Sequence, residues 1–179
     1  MTTADIVVSA KLSEEGKTLA ASDPGPTRFV QLLESRGLFK DAIQFLTHGL
    51  PIEVAIRWGC AAIRELMGEE DQGASAEALE AAEHWLQTPG DEARWKARSA
   101  AEKAGMSSPA DLIAMAAFFS GGSITPADTP VTAPPPYVAN RMAANGIQLA
   151  VLSRLPEKAT ERYQRALQIG RQVVKTNPK

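Results

Sequence analysis

The stretch Pro51-Ile-Glu-Val-Ala-Ile-Arg-Trp-Gly-Cys-Ala-Ala-Ile-Arg-Glu-Leu-Met67 governs the reading of the whole chain. At the three-four spacing of an α-helix, Ile52, Ile56, Gly59, Cys60 and Ile63 share one face, while Val54, Trp58 and Ala61 line another. Pro51 stands where proline is tolerated, in the first turn. A helix that is apolar on two sides belongs between neighbours, not at a surface. Gly59 costs such a helix about 1 kcal/mol relative to alanine, which close approach of a neighbouring backbone would offset. The stretch predicts a central helix in an all-α protein.

Upstream, Leu38 to His48 reads as a helix with Ile43 and Leu46 among its apolar positions and Gly49 closing it. Before that, Thr27 suits the cap of a short helix carrying Phe29, Leu32 and Leu33, with Gly37 as its stop. Residues 1–26 show no helical period and end in Asp23-Pro-Gly-Pro26, so they read as a flexible N-terminal arm with a rigid stop. Ile6-Val7-Val8 within it has no visible strand partner.

Downstream, Gly68-Glu-Glu-Asp-Gln-Gly73 reads as a polar loop and Ser75 as the cap of a helix reaching about Gln87, with Leu79, Ala82 and Leu86 inward. Pro89-Gly90-Asp91 turns the chain into a helix whose small face is Ala93, Ala97, Ala100, Ala101 and Ala104. Glu77, Glu80 and Glu83 on the first helix complement Arg94, Lys96, Arg98 and Lys103 on the second. This predicts an antiparallel hairpin. Exposed pairs contribute only about 0–1 kcal/mol each, so they bias pairing more than stability.

Ser108-Pro109-Ala110-Asp111 is a strong helix start, with a cap, a proline at the first position and an acid at the third. The run Leu112 to Phe119 that follows is nearly all apolar and should be buried. Ser120 to Pro136 then interrupts the helices for longer than the about 4–6 residues usual in a compact domain, and it is rich in proline. Tyr137 to Leu155 returns to helical spacing through Val138, Met142, Leu149 and Leu152. Pro156 opens a last helix with Ala159, Tyr163, Ala166, Leu167, Gly170 and Val174 inward. The expected architecture is a compact all-α bundle of about seven helices. It occupies residues 27–179 as a single domain with a long ordered loop at 120–136. The alternative, a short α-solenoid-like array, lacks the fixed repeat period it needs.

The 179 residues carry a net charge of −2, with basic side chains scattered among carboxylates, which gives no reason to expect a nucleic-acid partner. The single cysteine, Cys60, excludes an internal disulfide and reads as a small buried hydrophobe. No signal peptide is evident, and no run approaches the roughly 20 apolar residues of a membrane span. A cytoplasmic protein without membrane insertion is expected, with a homo-oligomer left open.

Little in the chain suggests chemistry. His48 and His84 have no second ligand at metal spacing, and His48 suits a helix C-terminus through the dipole alone. Glu69-Glu70-Asp71 lacks the alternating ligands of a calcium loop. Ser120-Gly121-Gly122-Ser123 looks like a phosphate cradle, but such loops lead into a helix N-terminus and this one follows a C-terminus. Gly121 or Gly122 is better placed as a left-handed stop. No catalytic, cofactor-binding or metal-binding residue is assigned.

The prolines of Thr132-Ala-Pro-Pro-Pro136 suit either an extended ligand for an aromatic groove or a strap across the domain anchored by Ile124, Val131 and Tyr137. Together with Trp58, Trp85, Trp95, Pro134, Pro135 and Pro136, these residues form the candidate interaction surface. The leading functional expectation is a non-enzymatic protein-interaction module with a protein partner and no cofactor. One alternative is an enzyme or small-ligand protein whose site draws on Arg57, Glu65, Arg141 and Asn145. Another is an immunity protein, which the mild charge does not favour.

Leu38-Phe-x-Asp-Ala-x-x-Phe-Leu46, Leu50-Pro-x-x-x-Ala-x-x-Trp-x-Cys60 and Ala116-Ala-Phe-Phe-Ser-Gly-Gly-Ser-Ile124 resemble a bacterial family of small uncharacterised all-helical proteins over residues 27–155. Gly59 stands where that family would place a second tryptophan. The resemblance implies an accessory or adaptor role near type VI secretion and carries no catalytic residues with it; an adaptor or chaperone in bacterial secretion is the form the interaction module is expected to take.

Overall fold

A computed structural model describes residues 2–68 and 74–177. In chain order the helices are α1 (Thr3–Ala10), α2 (Glu14–Ala20), α3 (Pro26–Ser35), α4 (Phe39–Gly49), α5 (Ile52–Met67), α6 (Ala74–Gln87) and α7 (Asp91–Ala104). They continue with α8 (Pro109–Phe118), α9 (Val138–Leu152) and, after a 3₁₀ turn at Pro156–Lys158, α10 (Ala159–Thr176). No strand occurs among the described residues, so the all-α expectation stands, with more helices than anticipated.

The two apolar faces of α5 meet two different cores. Ile56, Cys60 and Ile63 join α6, α7 and α8 through Trp85, Ala97, Ile113 and Phe118. Trp58 and Ala62 join α3, α4 and α10 through Phe29, Leu33, Ile43 and Leu167. α9 contributes to both, with Ala143 and Ala150 on one side and Ile147 and Val151 on the other. A helix serving two cores keeps only a narrow stripe for solvent, here Glu53, Arg57, Arg64 and Glu65, which is why its sequence is apolar twice over.

Gly59 is explained by a side chain and not by the neighbouring backbone that the sequence suggested. A Cβ there would collide with Ile113 of α8. Gly146 of α9 faces the same residue, and a Cβ on it would lie 2.8 Å from Ile113 Cδ1. Ile113 is therefore seated between two glycines, fully buried. The close fit of α5, α8 and α9 offsets the propensity cost of glycine in two helices.

The α6–α7 hairpin forms as predicted, with Lys103 Nζ 2.7 Å from Glu77 Oε2, an end-to-start pairing that requires antiparallel helices. α8 begins with the predicted capping box. The Ser108 hydroxyl accepts from Asp111 N at 3.2 Å, and Ser108 N donates to the Asp111 carboxylate at 2.9 Å. Two boundaries shift. α3 starts at Pro26 with Gly25 as its cap instead of Thr27, and Ser75 lies inside the first turn of α6. Residues 69–73, read as most of a polar loop and as a carboxylate cluster, lie outside the described residues.

The N-terminal arm is a correction. Residues 3–20 form α1 and α2, and Ile6, Ala10 and Leu12 are buried in the second core. Thr2 and Asp5 make a capping box at α1. At α2, the Ser13 hydroxyl accepts from Gly16 N at 3.1 Å. The buried Asp41 of α4 ties this corner down by accepting from Ser13 N at 3.1 Å and from the Ser13 hydroxyl at 2.5 Å. Helices of 8 and 7 residues are too short to show a period over the windows in which periodicity is read. Their stability comes from docking, α1 on α4 and α2 on α3, which no local pattern reveals.

Candidate functional site

The proline-rich segment is held by a residue that the sequence placed on a solvated helix face. Arg94 of α7 is only 4% exposed. Its guanidinium donates to the Phe118 carbonyl oxygen at the end of α8, to Ser123 O at 3.0 Å and to Asp91 Oδ1 at 2.9 Å. The Ser120 N–H and hydroxyl serve Ala117 O, and the Arg94 cation supplies a donor to Phe118 O, where the dipole is negative. Gly122, at φ +63°, is the left-handed glycine, and a Cβ on it would lie 2.7 Å from Asp91 Oδ1 and run into Arg94. Gly121 has open space around it. The phosphate-cradle geometry is absent at these glycines, and a buried arginine occupies the position.

Beyond Ser123 the loop closes on itself. Ile124 N donates to Thr132 O at 2.8 Å, Thr132 N to the Ser123 hydroxyl at 3.2 Å and the Thr125 hydroxyl to Pro130 O at 2.7 Å. Ile124 packs against the first core, but Val131 is 85% exposed and Tyr137 is 44% exposed, so the expected strap has one apolar anchor where three were expected. Pro134 is half-buried, while Pro135 and Pro136 are exposed.

The proposed surface is not contiguous. Trp58 and Trp85 are core residues. Trp95 is partly covered, edge-on to Phe118 at 5.0 Å between ring centroids, with the Arg98 guanidinium 5.1 Å from its ring centre. Tryptophan at helical spacing looked the same in sequence whether it faced a partner or a neighbouring helix.

An opening lies elsewhere, a groove of about 830 Å³ among α1, α3, α4 and α10. Ile6 and Val30 form one wall, Phe45, Leu46 and Leu50 another, and Val174 the third, with Trp58 beneath the floor at Gly170. Thr27, Gln31, Arg171 and Lys175 supply the polar rim. Among the described residues, no histidine, cysteine, aspartate or glutamate lines it. Sequence reading missed this groove because its walls come from helices separated by more than a hundred residues.

A second polar feature runs along the α4–α9 seam. Asn140 donates to Thr47 O at 2.7 Å, and Gln44 Nε2 donates to Asn145 Oδ1 at 3.3 Å. His48 is 1% exposed, with Nδ1 2.8 Å from Gln44 O, so the proton sits on Nδ1, and Nε2 has no hydrogen-bond partner among the described residues. Burial lowers its pKa below the usual histidine value, and the Arg141 cation lowers it further against the opposing Gln44 hydrogen bond. Burial pushes the Cys60 thiol up to about 12, which keeps it protonated and unreactive.

Arg57, Glu65, Arg141 and Asn145 do not line the groove. Glu65 pairs with Arg165 and Asn145 with Gln44. Among the described residues no group of three His, Cys, Asp or Glu side chains is placed to hold a metal ion. No described helix is long and apolar enough to cross a membrane.

The fold and groove define the class, an all-α protein with a mainly apolar groove that no histidine, cysteine or carboxylate side chain lines among the described residues. The chain belongs to DUF6931, a family of unknown function, whose model matches residues 29–174. No curated protein and no solved structure matches the chain. The family match begins inside α3, so α1 and α2 lie outside it.

Proposed function

We propose that this chain is a non-enzymatic protein-interaction module, an adaptor, chaperone or accessory protein of a bacterial secretion system of type VI kind, working in the cytoplasm. The observation that carries the interaction reading is the lining of the groove. Proton transfer and nucleophilic attack are carried by histidine, carboxylate, cysteine, an activated hydroxyl or a desolvated lysine, and among the described residues the groove offers apolar side chains edged by Arg171 and by a Lys175 that is exposed to water. Such a lining gains free energy by covering apolar surface, which suits a protein partner. The secretion role rests on the sequence resemblance alone.

Co-purification of the tagged full chain from its native host tests the reading. Val174→Glu should release the partner that the wild-type chain retains, while Val131→Glu, on the exposed loop, should retain it. Recovery of no partner at native abundance, or equal retention by both variants, would sink the proposal. A thermal melt of each variant separates lost binding from lost folding.

A further inference from the structure

The rim of the groove names the kind of partner. The chain as a whole is slightly acidic, with 21 carboxylate side chains against 19 Lys and Arg, yet among the described residues no carboxylate lines this groove and the two charged residues on its rim are cations. Arg171 is already matched by Glu34. Lys175, exposed at the end of α10, makes no ion pair among the described residues. An apolar trough with one unmatched cation at its edge is complementary to a ligand with an apolar face and a neighbouring negative charge.

α1 shows how such a ligand is held. It is a short helix whose Ile6 and Ala10, four residues apart, are buried against α4, and Ile6 forms part of the groove wall. The Ile6 side chain approaches α4 where Gly49 leaves room, since a Cβ there would lie 3.0 Å from Ile6 Cδ1. The trough beside α1 is likewise walled by apolar residues on facing helices, Val30, Phe45, Leu46 and Val174 among them.

Resting on the interaction reading above, we infer that the groove between α1, α3, α4 and α10 takes an amphipathic α-helix of a partner protein. That helix carries apolar residues at i, i+3 or i+4, and i+7, with an aspartate or glutamate opposite Lys175. Apolar anchors at that spacing present one stripe along a helix, and the stripe lies in a trough of this kind.

Selection of a phage-displayed library of random peptides of about 16 residues, long enough for four turns, on the full wild-type chain tests this. Enriched sequences should show the three-four apolar period and net negative charge, and should not bind Val174→Glu. Lys175→Glu should weaken a chosen acidic peptide about fivefold and favour basic sequences when the selection is repeated. Enrichment without helical period, equal enrichment of acidic and basic peptides, or no enriched peptide at all would overturn the inference. So would dodecanoate binding in the groove, read by tryptophan fluorescence, with no helical peptide enriched. A partner lost on Val174→Glu in co-purification would still uphold the interaction reading, so the two failures are distinguishable.

Discussion

The indole N–H of Trp58 donates to the carbonyl oxygen of Ala166 at 2.8 Å, across 108 residues of sequence and with both groups buried. Gly170, one turn further along α10, makes room for the ring, since a Cβ there would lie 2.6 Å from Trp58 Cε2. Together they set how α10 lies on α5, and with it one side of the groove.

Trp58→Phe should lower stability by about 2–3 kcal/mol, because the Ala166 carbonyl loses its buried donor and ring volume is lost. Gly170→Ala should cost about 1–3 kcal/mol by forcing α10 away from the ring. Urea denaturation of both variants checks this. A Gly170→Ala variant as stable as wild type would show that α10 is not seated as described.

Arg94→Met keeps much of the apolar stem but removes the guanidinium donors to Phe118 O and Ser123 O. The Phe118 and Ser123 carbonyls would then lack their buried partner, and stability should fall by about 2–4 kcal/mol. Limited proteolysis should cut between residues 120 and 136 much faster than in wild type. Gly122→Ala should show a milder version of the same phenotype, since it strains a positive φ and crowds Arg94. Gly121→Ala should behave as wild type. Equal behaviour of the two glycine variants would remove this account of the loop.

Asp41→Ala should free α1 and α2 while leaving the remaining helices folded. Two hydrogen bonds to Ser13 are lost at the start of α2, a change of about 1–2 kcal/mol. Hydrogen exchange should quicken across residues 3–20 and change little in α6 to α8. Uniform exchange changes throughout the chain would show instead that the N-terminal helices unfold only with the whole.

His48 makes stability depend on pH. Its folded-state pKa is depressed below 6.5, chiefly by burial. The unfolded chain therefore binds the proton more readily as pH falls, so the stabilisation is present above the unfolded value and lost on acidification. The urea midpoint should decline between about pH 7 and pH 5, before most carboxylates titrate. His48→Leu should flatten this decline. An unchanged slope in the variant would assign the effect elsewhere.

Much of the architecture was legible in the chain itself. The double apolar face of Pro51–Met67 implied a central helix, Ser108-Pro109-Ala110-Asp111 implied a capped start, and the opposed charges of Glu77 and Lys103 implied a hairpin. Each of these is local, set by periodicity, caps or charges a few turns apart. The glycine pair at 121–122 implied a left-handed stop, though not which residue supplies it.

Sequence patterns could not determine which side chains lose their solvent when helices far apart in the chain come together. Arg94 sits in a helix beside Lys96 and Arg98 and shares their chemistry, yet it alone is buried, because the end of α8 arrives over it and presents bare carbonyls. Trp58, Trp85 and Trp95 divide between core and core edge for the same reason. The groove exists only because α1, α3, α4 and α10 enclose it, and α1 itself is a helix only because α4 buries Ile6 and Ala10. Local free energies choose the helices, but burial is a property of neighbours, and neighbours are assigned by packing.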